Sequence, residues 1–357
     1  MHILHVVGAR PNFMKVAPVM AALGQNTSWR QTLVHTGQHY DANMTDIFFQ
    51  QLTIPMPDVN LGVGSGSHAQ QTAEIMARFE PVVLECQPNM VLVYGDVNST
   101  VAAALVCAKL LVPVGHVEAG LRSHDRTMPE EINRLLTDQL ADWLFTPSAD
   151  GNEHLQQEGI AREKIHLVGN VMIDTLIRYL PLARRPKIPG LADTYALITL
   201  HRPSNVDQPS TLHDLIQALL HLSEQLPVVF PVHPRTRQRI EALHLPTPYP
   251  SSFHLLDPLG YLEFLALQQH ATVVITDSGG IQEETTYLGV PCLTLRENTE
   301  RPVTVTLGSN ILIGRDMKRM HAEVGRILAG RAKPCAVPPL WDGKAAERIA
   351  AIIQSLE

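Results

Sequence analysis

The chain has 357 residues, of which 45% are hydrophobic and 18% charged, and its formal net charge is −7 at pH 7. This length exceeds what one hydrophobic core usually supports, so we expect two domains. The acidic balance argues against nucleic acid or an anionic membrane as a partner. No apolar run reaches the roughly 18 residues that a membrane-spanning helix needs.

The N-terminus and the cysteines predict a cytoplasmic protein. Residues 1–7 enter a strand directly, without the basic region and cleavage site of a signal peptide. The scattered cysteines are expected to be reduced thiols; they are Cys86, Cys107, Cys292 and Cys335. No HExxH motif or Cys/His cluster with metal-ligand spacing is present, so we expect no metal.

Short runs of Val, Ile and Leu alternate with helical stretches twice along the chain. The runs cover 2–7, 32–35, 90–94, 112–117 and 142–146, and then 195–200, 228–232, 253–256, 272–276 and 291–295. Strands of this kind are typical of parallel sheets covered on both faces. We predict an α/β fold of two Rossmann-like, doubly wound parallel-sheet domains that face a central cleft. The predicted limits are 1–168, joined by a C-terminal helix at 344–357, and 169–343, with the proline-rich stretch 181–189 near the transition.

Charged residues follow several of these strands. Arg10 comes after the first strand, Asp96 after the third and Glu118 after the fourth. Ligands of open α/β sheets bind beyond the carboxyl ends of the strands, so we expect these three side chains to face one cleft. His201 and His233 follow the first two strands of the second half in the same way. Each residue alone is more often a cap or a surface group than a catalyst.

The run TDSGGIQEE at residues 276–284 follows a predicted strand and opens a helical segment. Ser278, Gly279 and Gly280 leave backbone amides bare at a helix N-terminus, which binds phosphate well. Glu283 and Glu284 lie in the first two turns, within reach of ribose hydroxyls. The run therefore predicts a nucleotide-diphosphate site, and the alternative is an ordinary N-cap serine with a glycine turn.

Several other motifs are missing. The glycine-rich stretch 62–67 lacks the GxGxxG spacing, and no Walker A sequence or GxSxG elbow is present. We therefore expect no dinucleotide cofactor and no serine hydrolase chemistry.

Taken together, the motifs resemble those of the non-hydrolysing UDP-N-acetylglucosamine 2-epimerases, whose fold is related to the two-domain GT-B glycosyltransferases. The resemblance covers nearly the whole chain in the expected order. It runs through GARP (8–11), TGQH (36–39), GD (95–96), HVEAGLR (116–122), PEEINR (129–134), GN (169–170), HR (201–202), PVHP (231–234), the 276–284 run and TERP (299–302).

The resemblance implies inversion at C2 that interconverts UDP-N-acetylglucosamine and UDP-N-acetylmannosamine. UDP would be eliminated to give a glycal and then added again, with no cofactor. Such a route needs a grip on the diphosphate and acid/base groups near C2. The implied catalytic residues are Asp96, Glu118, Glu130 and His201, and which carboxylate is the base stays open. The implied substrate-binding residues are Arg10, Arg134, His233, Ser278, Gly279, Gly280, Glu284 and Arg301.

Two of these residues have a second interpretation. Glu130 also fits a plain helix start with acidic first-turn residues. Arg134, one turn later, is expected either to pair with Glu130 or to contact the sugar nucleotide.

The sequence departs from the common family pattern at Asn12, at 203–205 and in the short segment 123–128. These departures leave a related UDP-sugar, such as a 2,3-diacetamido uronic acid derivative, as an alternative substrate. A hydrolysing 2-epimerase, a GT-B glycosyltransferase and a non-catalytic UDP-sugar sensor are further alternatives. Gln38-His39 matches part of the pattern for activation by UDP-N-acetylglucosamine, whereas Tyr40-Asp41 does not. The family also implies a homodimer.

Overall fold

A computed structural model describes residues 1–37 and 55–356, apart from the side chain of Arg10. The chain divides into two compact units. The N-terminal unit comprises Met1–Arg178 and Pro339–Glu357, and the C-terminal unit comprises Tyr179–Pro338. The limits expected from the sequence, 1–168 with 344–357 and 169–343, remain a prediction.

The N-terminal unit is built on a parallel sheet of seven strands. They are β1 (His2–Val7), β2 (Arg30–His35), β3 (Val59–Asn60), β4 (Met90–Tyr94), β5 (Val114–Val117), β6 (Trp143–Thr146) and β7 (Ile165–Leu167). Their order across the sheet is β3-β2-β1-β4-β5-β6-β7. Every residue of β4 is buried, as expected for a central strand that is covered on both faces.

Seven helices of the described chain belong mainly to this unit. They are α1 (Arg10–Leu23), α2 (His68–Cys86), α3 (Asn98–Lys109), α4 (Pro129–Leu140), α5 (Ala149–Gln157), α6 (Val171–Tyr179) and, after the whole C-terminal unit, a terminal helix at Ala345–Gln354. Local sequence sets several of their starts. Ser67 and Gln70 form a capping box at the start of α2. Pro129 opens α4, with Glu130 and Glu131 in the first turn.

The C-terminal unit has a parallel sheet of six strands, β8 (Ala196–Thr199), β9 (Val228–Pro231), β10 (Phe253–Leu256), β11 (Val273–Thr276), β12 (Cys292–Thr294) and β13 (Asn310–Leu312). Their order is β10-β9-β8-β11-β12-β13. The helices are α7 (Pro203–Val206), α8 (Pro209–Ser223), α9 (Pro234–Glu241), α10 (Tyr261–His270), α11 (Gly279–Leu288), α12 (Pro302–Thr306) and α13 (Met317–Leu328), so the terminal helix is α14. The predicted class, an α/β fold of two doubly wound parallel-sheet domains, is confirmed.

Each sheet has a point at which the strand order reverses. In the N-terminal unit this point lies between β1 and β4, where Val6 pairs with Val93. In the C-terminal unit it lies between β8 and β11, where Thr199 pairs with Thr276. Loops that leave such a pair of strands diverge to opposite sides of the sheet and leave a crevice for a ligand. The strand order therefore directs attention to the segments after β1, β4, β8 and β11.

All ten predicted strands are present, with ends within about two residues of the expected positions. Three strands were missed, namely β3, β7 and β13. Each has two or three residues and lies at the edge of its sheet. Strands of two or three residues leave only a weak apolar signal in the sequence.

Helix α14 packs on α1 and thus belongs to the N-terminal unit. Its residues Ile349 and Ile353 are fully buried. Asp174 of α6 accepts hydrogen bonds from the amides of Ala345 (3.1 Å) and Ala346 (2.7 Å), the first residues of α14. A carboxylate at that place satisfies amides that have no partner inside the helix.

Candidate functional site

Asp96 follows β4 and forms an ion pair with Arg134 of α4. Arg134 Nη2 and Nε lie 2.5 and 3.0 Å from Asp96 Oδ2, and Arg134 Nη1 lies 2.6 Å from Glu131 Oε2. Within the described chain Arg134 forms these ion pairs with Asp96 and Glu131, not with Glu130. The reason is burial: Glu131 faces inward, whereas Glu130 is partly exposed.

Glu118 follows β5 and forms a buried ion pair with Lys15 of α1. The backbone of Glu118 has φ +75°, a conformation that residues other than glycine rarely adopt. Such strain persists where the surroundings over-determine it, and it is frequent at functional sites. A Cβ on Gly95 would lie 2.7 Å from Lys15 Nζ and 3.1 Å from Glu118 Oε2, so the turn after β4 requires glycine.

We call Asp96 and Glu118, with their cations Arg134 and Lys15, the acidic subsite. Glu130, in the first turn of α4, is assigned to it as a prediction. Asp96 and Glu118 follow adjacent strands of the sheet. Each of the two forms an ion pair with a cation. This chemistry suits proton transfer and the stabilisation of a nearby positive charge.

Glu131 fixes the segment that lies between β5 and α4. Its carboxylate accepts hydrogen bonds from Ser123 N and Oγ, both at 3.0 Å, and from His124 N at 2.8 Å. Burial alone would raise the pKa of Glu131, but the amides and Arg134 outweigh it and leave this pKa below its ordinary value. Glu131 therefore holds both the loop and the guanidinium that pairs with Asp96.

In the C-terminal unit, helix α11 begins directly after β11. Ser278 is its N-cap, yet within the described chain the Ser278 side chain does not cap the first-turn amides. Gly279 and Gly280 carry no side chain of their own over these amides, and the side chains of Glu300 and Arg301 lie next to Gly279. We call Ser278, Gly279 and Gly280, together with Arg301, the glycine subsite. The end of a helix with exposed amides is a ready-made site for an anion such as phosphate.

Arg301 is held against the start of α11 by two buried carboxylates. Its Nε lies 2.9 Å from Glu283 Oε1, and its Nη1 pairs with Glu300. Arg296 also reaches Glu300, at 2.6 Å, and Arg202 lies 4.0 Å from it. Three guanidinium groups thus lie around two buried carboxylates next to the helix start. A guanidinium at this position can bind an anion such as phosphate.

His201 and Asp277 are joined at the reversal point of the second sheet. His201 Nδ1 lies 2.9 Å from Asp277 Oδ1, and the same carboxylate accepts from the amide of Arg202 at 2.9 Å and from Asn205 Nδ2 at 3.0 Å. Burial would raise the pKa of Asp277, but His201, Arg202 and Asn205 together hold it below its ordinary value. His201 is half-exposed, so its other ring nitrogen can reach a ligand.

The remaining predicted residues have different surroundings. Glu284 is buried and lies 3.2 Å from the hydroxyl of Tyr261. His233 is exposed and serves as the N-cap of α9. Their roles in substrate binding stay predictions. The side chain of Arg10 and the pair Gln38-His39 lie outside the described residues.

Sequence reasoning missed Lys15, Asp277 and the network behind the acidic subsite. Lys15 is a buried lysine in an otherwise apolar stretch of α1, and this pattern was a usable signal. Asp277 stood within the glycine-rich run, but its partner His201 is 76 residues away, and no local pattern reveals such a contact. Asn205, noted from the sequence as a departure from the family pattern, bridges Asp277 and the Leu295 carbonyl.

No group of His, Cys, Asp and Glu that could hold a metal ion is found in the described ranges. Residues 1–37 and 55–356 also contain no helix that is long and apolar enough to cross a membrane.

Two doubly wound parallel sheets in one chain, the second with a glycine-rich helix start at its reversal point, define a GT-B-like α/β protein. The family described as UDP-N-acetylglucosamine 2-epimerase matches residues 21–354. The chain belongs to this family of epimerases.

Curated relatives match along nearly their whole length. A UDP-N-acetylglucosamine 2-epimerase of Methanocaldococcus jannaschii is 41% identical over 98% of this chain and 97% of its own. A UDP-2,3-diacetamido-2,3-dideoxy-D-glucuronate 2-epimerase of Pseudomonas aeruginosa is 43% identical over 100% of both chains. The crystal structure of the M. jannaschii UDP-GlcNAc 2-epimerase in complex with UDP-GlcNAc and UDP has a TM-score of 0.91 to this protein. It is 39% identical, and the match covers 99% of this chain and 100% of that one.

Proposed function

We propose that this epimerase interconverts UDP-N-acetylglucosamine and UDP-N-acetylmannosamine without hydrolysis. The proposal is supported by the M. jannaschii relative, a UDP-N-acetylglucosamine 2-epimerase, and by the complex of that enzyme with UDP-GlcNAc and UDP. The observation that carries it is the acidic subsite, in which Asp96 and Glu118 follow adjacent strands and each is paired with a cation.

The proposed reaction is an elimination followed by a re-addition. A carboxylate of the acidic subsite removes the C2 proton while the C1–O bond breaks, so UDP leaves with the bonding electrons and a C1–C2 double bond forms. A proton then returns to C2 from the opposite face, and UDP adds again at C1. The C2 hydrogen has no adjacent carbonyl to acidify it, so departure of the diphosphate has to assist its removal.

The roles follow from the charges on the residues. The amides of Ser278, Gly279 and Gly280, with Arg301, would hold the leaving diphosphate and stabilise its developing charge. Arg10 and His201 would act on the same diphosphate, and Glu284 on the ribose, with His233 and Arg134 as further substrate contacts. Asp96, Glu118 and Glu130 would exchange the C2 proton and stabilise positive charge at C1.

Incubation with UDP-N-acetylglucosamine in heavy water, followed by proton NMR, tests this mechanism. Deuterium at C2 of both epimers, without added nicotinamide, is the expected result. Inversion with the C2 proton retained would contradict elimination. Accumulation of free N-acetylmannosamine and UDP would instead identify a hydrolysing enzyme.

A second candidate substrate is a UDP-2,3-diacetamido uronic acid. It is supported by the P. aeruginosa relative, whose 43% identity is as high as that of the UDP-GlcNAc enzyme. Comparing kcat/KM for the two nucleotide sugars decides between them. A ratio above about 100 in favour of one sugar, equal to about 2.7 kcal/mol of transition-state binding, would name the substrate.

We also propose that the chain acts as a homodimer in the cytoplasm. The family supports the dimer, and four unpaired cysteines support a reducing compartment. Light scattering coupled to size-exclusion chromatography measures the mass of the particle, and fractionation of the source cells locates the protein. A monomer at micromolar concentration would contradict the first part.

A further inference from the structure

The imidazole of His116, on β5, is fully buried between two hydrogen-bond acceptors. Its Nδ1 lies 2.6 Å from Asp138 Oδ1, and its Nε2 lies 2.8 Å from the carbonyl oxygen of Gly95. A carbonyl oxygen can only accept, and an ionised carboxylate can only accept. Both ring nitrogens must then donate, and only the imidazolium form carries a hydrogen on each.

The surroundings of Asp138, on α4, keep its carboxylate ionised. Its Oδ2 accepts from Arg122 Nη2 at 2.7 Å and from the amide of Gly120 at 3.1 Å. Burial would raise the pKa of Asp138, but His116 and Arg122 outweigh it and leave that pKa below its ordinary value. Arg122 is balanced in turn by Glu158, at 2.7 Å. The buried charges therefore cancel in pairs, as a low-dielectric interior requires.

We propose that His116 is a positioning residue whose ring donates from both nitrogens and thereby holds the turn that carries Asp96. The charged groups of this cluster are Asp138, Arg122 and Glu158, and on the other side of the turn lie Lys15 and Glu118. The catalytic part of this inference rests on the proposed function, whereas the protonation state does not.

The hydrogen bonds of His116 and Asp138 hold the backbone next to Asp96 and Glu118. The Gly95 carbonyl immediately precedes Asp96, so the bond from His116 holds the peptide that leads into Asp96. It acts together with the bonds from Gly95 N to the Val117 carbonyl and from Asn133 Nδ2 to the Asp96 carbonyl. A charge-assisted bond is roughly twice as strong as a neutral one. Asp138 binds the amide of Gly120, two residues after Glu118. One ion pair thus anchors the backbone beside both proposed catalytic carboxylates.

A second buried histidine in the same unit provides an internal reference. His5, on β1, is also fully buried, but its Nδ1 lies 2.7 Å from the hydroxyl of Tyr94, which can donate, and its Nε2 lies 2.9 Å from Gln31 Oε1. Its surroundings therefore suit a neutral ring, and burial lowers the pKa of His5 to about 4. The two rings share full burial and differ in their partners.

The protonation state is tested by nitrogen NMR of the whole protein labelled in its histidines, at neutral pH. The ring of His116 is expected to show two protonated nitrogens, and that of His5 one protonated and one bare nitrogen. Signals are assigned with the His116→Phe and His5→Phe variants. A His116 ring with either nitrogen unprotonated would overturn the proposal. This outcome includes the case in which the proton between the two groups lies on Asp138 and Nδ1 is bare.

The positioning role is tested by kinetics. His116→Phe keeps a ring of similar size but cannot donate to Gly95, and it is expected to lower kcat about 100-fold, as a misplacement of about 1 Å does, with KM nearly unchanged. Asp138→Asn leaves a neutral ring that still donates from Nε2, so its loss should be smaller. His5→Phe, which also loses buried hydrogen bonds, should keep kcat within a factor of about three, well below the effect of a lost acid or base.

Each outcome has a separate meaning. Equal kcat in His116→Phe and His5→Phe would overturn the positioning role. If His116→Phe does not fold, the kinetics of Asp138→Asn decide instead. A wild-type kcat in Asp138→Asn, with a His116 ring that NMR shows to be neutral, would also overturn the positioning role. Absence of epimerisation by the wild-type protein would refute the proposed function. The NMR measurement would still decide the protonation of His116, because it does not depend on activity.

Discussion

Asp277 Oδ1 lies 2.9 Å from His201 Nδ1, and this pair joins the two strand ends at which the second sheet reverses its order. A buried carboxylate on one ring nitrogen fixes the tautomer and orientation of an imidazole. His201 is thereby directed to present Nε2 to a ligand.

Asp277→Asn should therefore impair His201 even though it preserves shape. The amide cannot accept as the carboxylate does, so we expect kcat to fall at least about tenfold, toward the lower end of what a positioned acid or base contributes. The measurement is a double-mutant cycle with His201→Asn. If the fold-decrease of kcat in the double variant equals the product of the decreases in the two single variants, Asp277 does not act through His201.

Glu118→Gln should abolish most epimerisation and also destabilise the fold. The reaction loses a proposed acid or base, which costs about 100- to 10,000-fold in rate. Lys15 loses its buried counter-charge, which costs about 3–5 kcal/mol of unfolding free energy. Urea unfolding and an epimerisation assay measure the two effects.

The matched control for Glu118→Gln is the double variant with Lys15→Met, which removes the unpaired cation. It should recover stability without recovering turnover. Near-wild-type turnover in Glu118→Gln and in Asp96→Asn would refute the acidic subsite.

Gly279→Val should abolish UDP binding measured by calorimetry. A Cβ on Gly279 would lie 2.7 Å from Glu300 Oε1 and closer still to Arg301, so the side chain displaces the guanidinium and covers the first-turn amides. Gly325→Ala is the control, because a Cβ at that helical position meets nothing within 4 Å. UDP affinity should be unchanged there, and an unchanged affinity in Gly279→Val would count against the glycine subsite.

The pH dependence of stability should contain a contribution from Asp174. Burial raises the pKa of Asp174 to about 6. The folded protein therefore binds this proton more tightly than the unfolded chain, whose aspartate titrates near 3.9. The contribution of Asp174 is fully present below about pH 4 and is lost as the pH rises through about 6.

The check is the unfolding free energy of wild type minus that of Asp174→Asn. This difference should decrease between about pH 4 and pH 6 and level off above. A flat difference for Asp174→Asn would mean that burial does not perturb this carboxyl group.

Much of the fold was predictable because a parallel sheet buries whole strands. The run Met90–Tyr94 is apolar throughout and stands out without any alignment. The edge strand Val59–Asn60 has two residues, and no periodicity can mark it. Strand ends were predictable for the same reason as strands, so Asp96, Glu118 and His201 could be placed from the sequence.

The partners of these residues were not predictable. Asp96 and Arg134 are 38 residues apart, and Glu118 and Lys15 are 103 apart. Such pairs depend on how a helix lies across the sheet, which local patterns do not encode. Helical spacing allows Arg134 to pair with Glu130, one of the two possibilities open from the sequence, whereas packing directs the guanidinium to Asp96 and Glu131.

The attachment of α14 to α1 has a consequence for biosynthesis. The segment Tyr179–Pro338 leaves the ribosome before Ala345–Gln354 is synthesised. The C-terminal unit can therefore finish folding before the N-terminal unit, which still lacks α14. Until then α1, which carries Lys15, exposes the apolar face that Ile349 and Ile353 will cover. Nascent chains stalled before residue 345 should accordingly need a chaperone to stay out of aggregates.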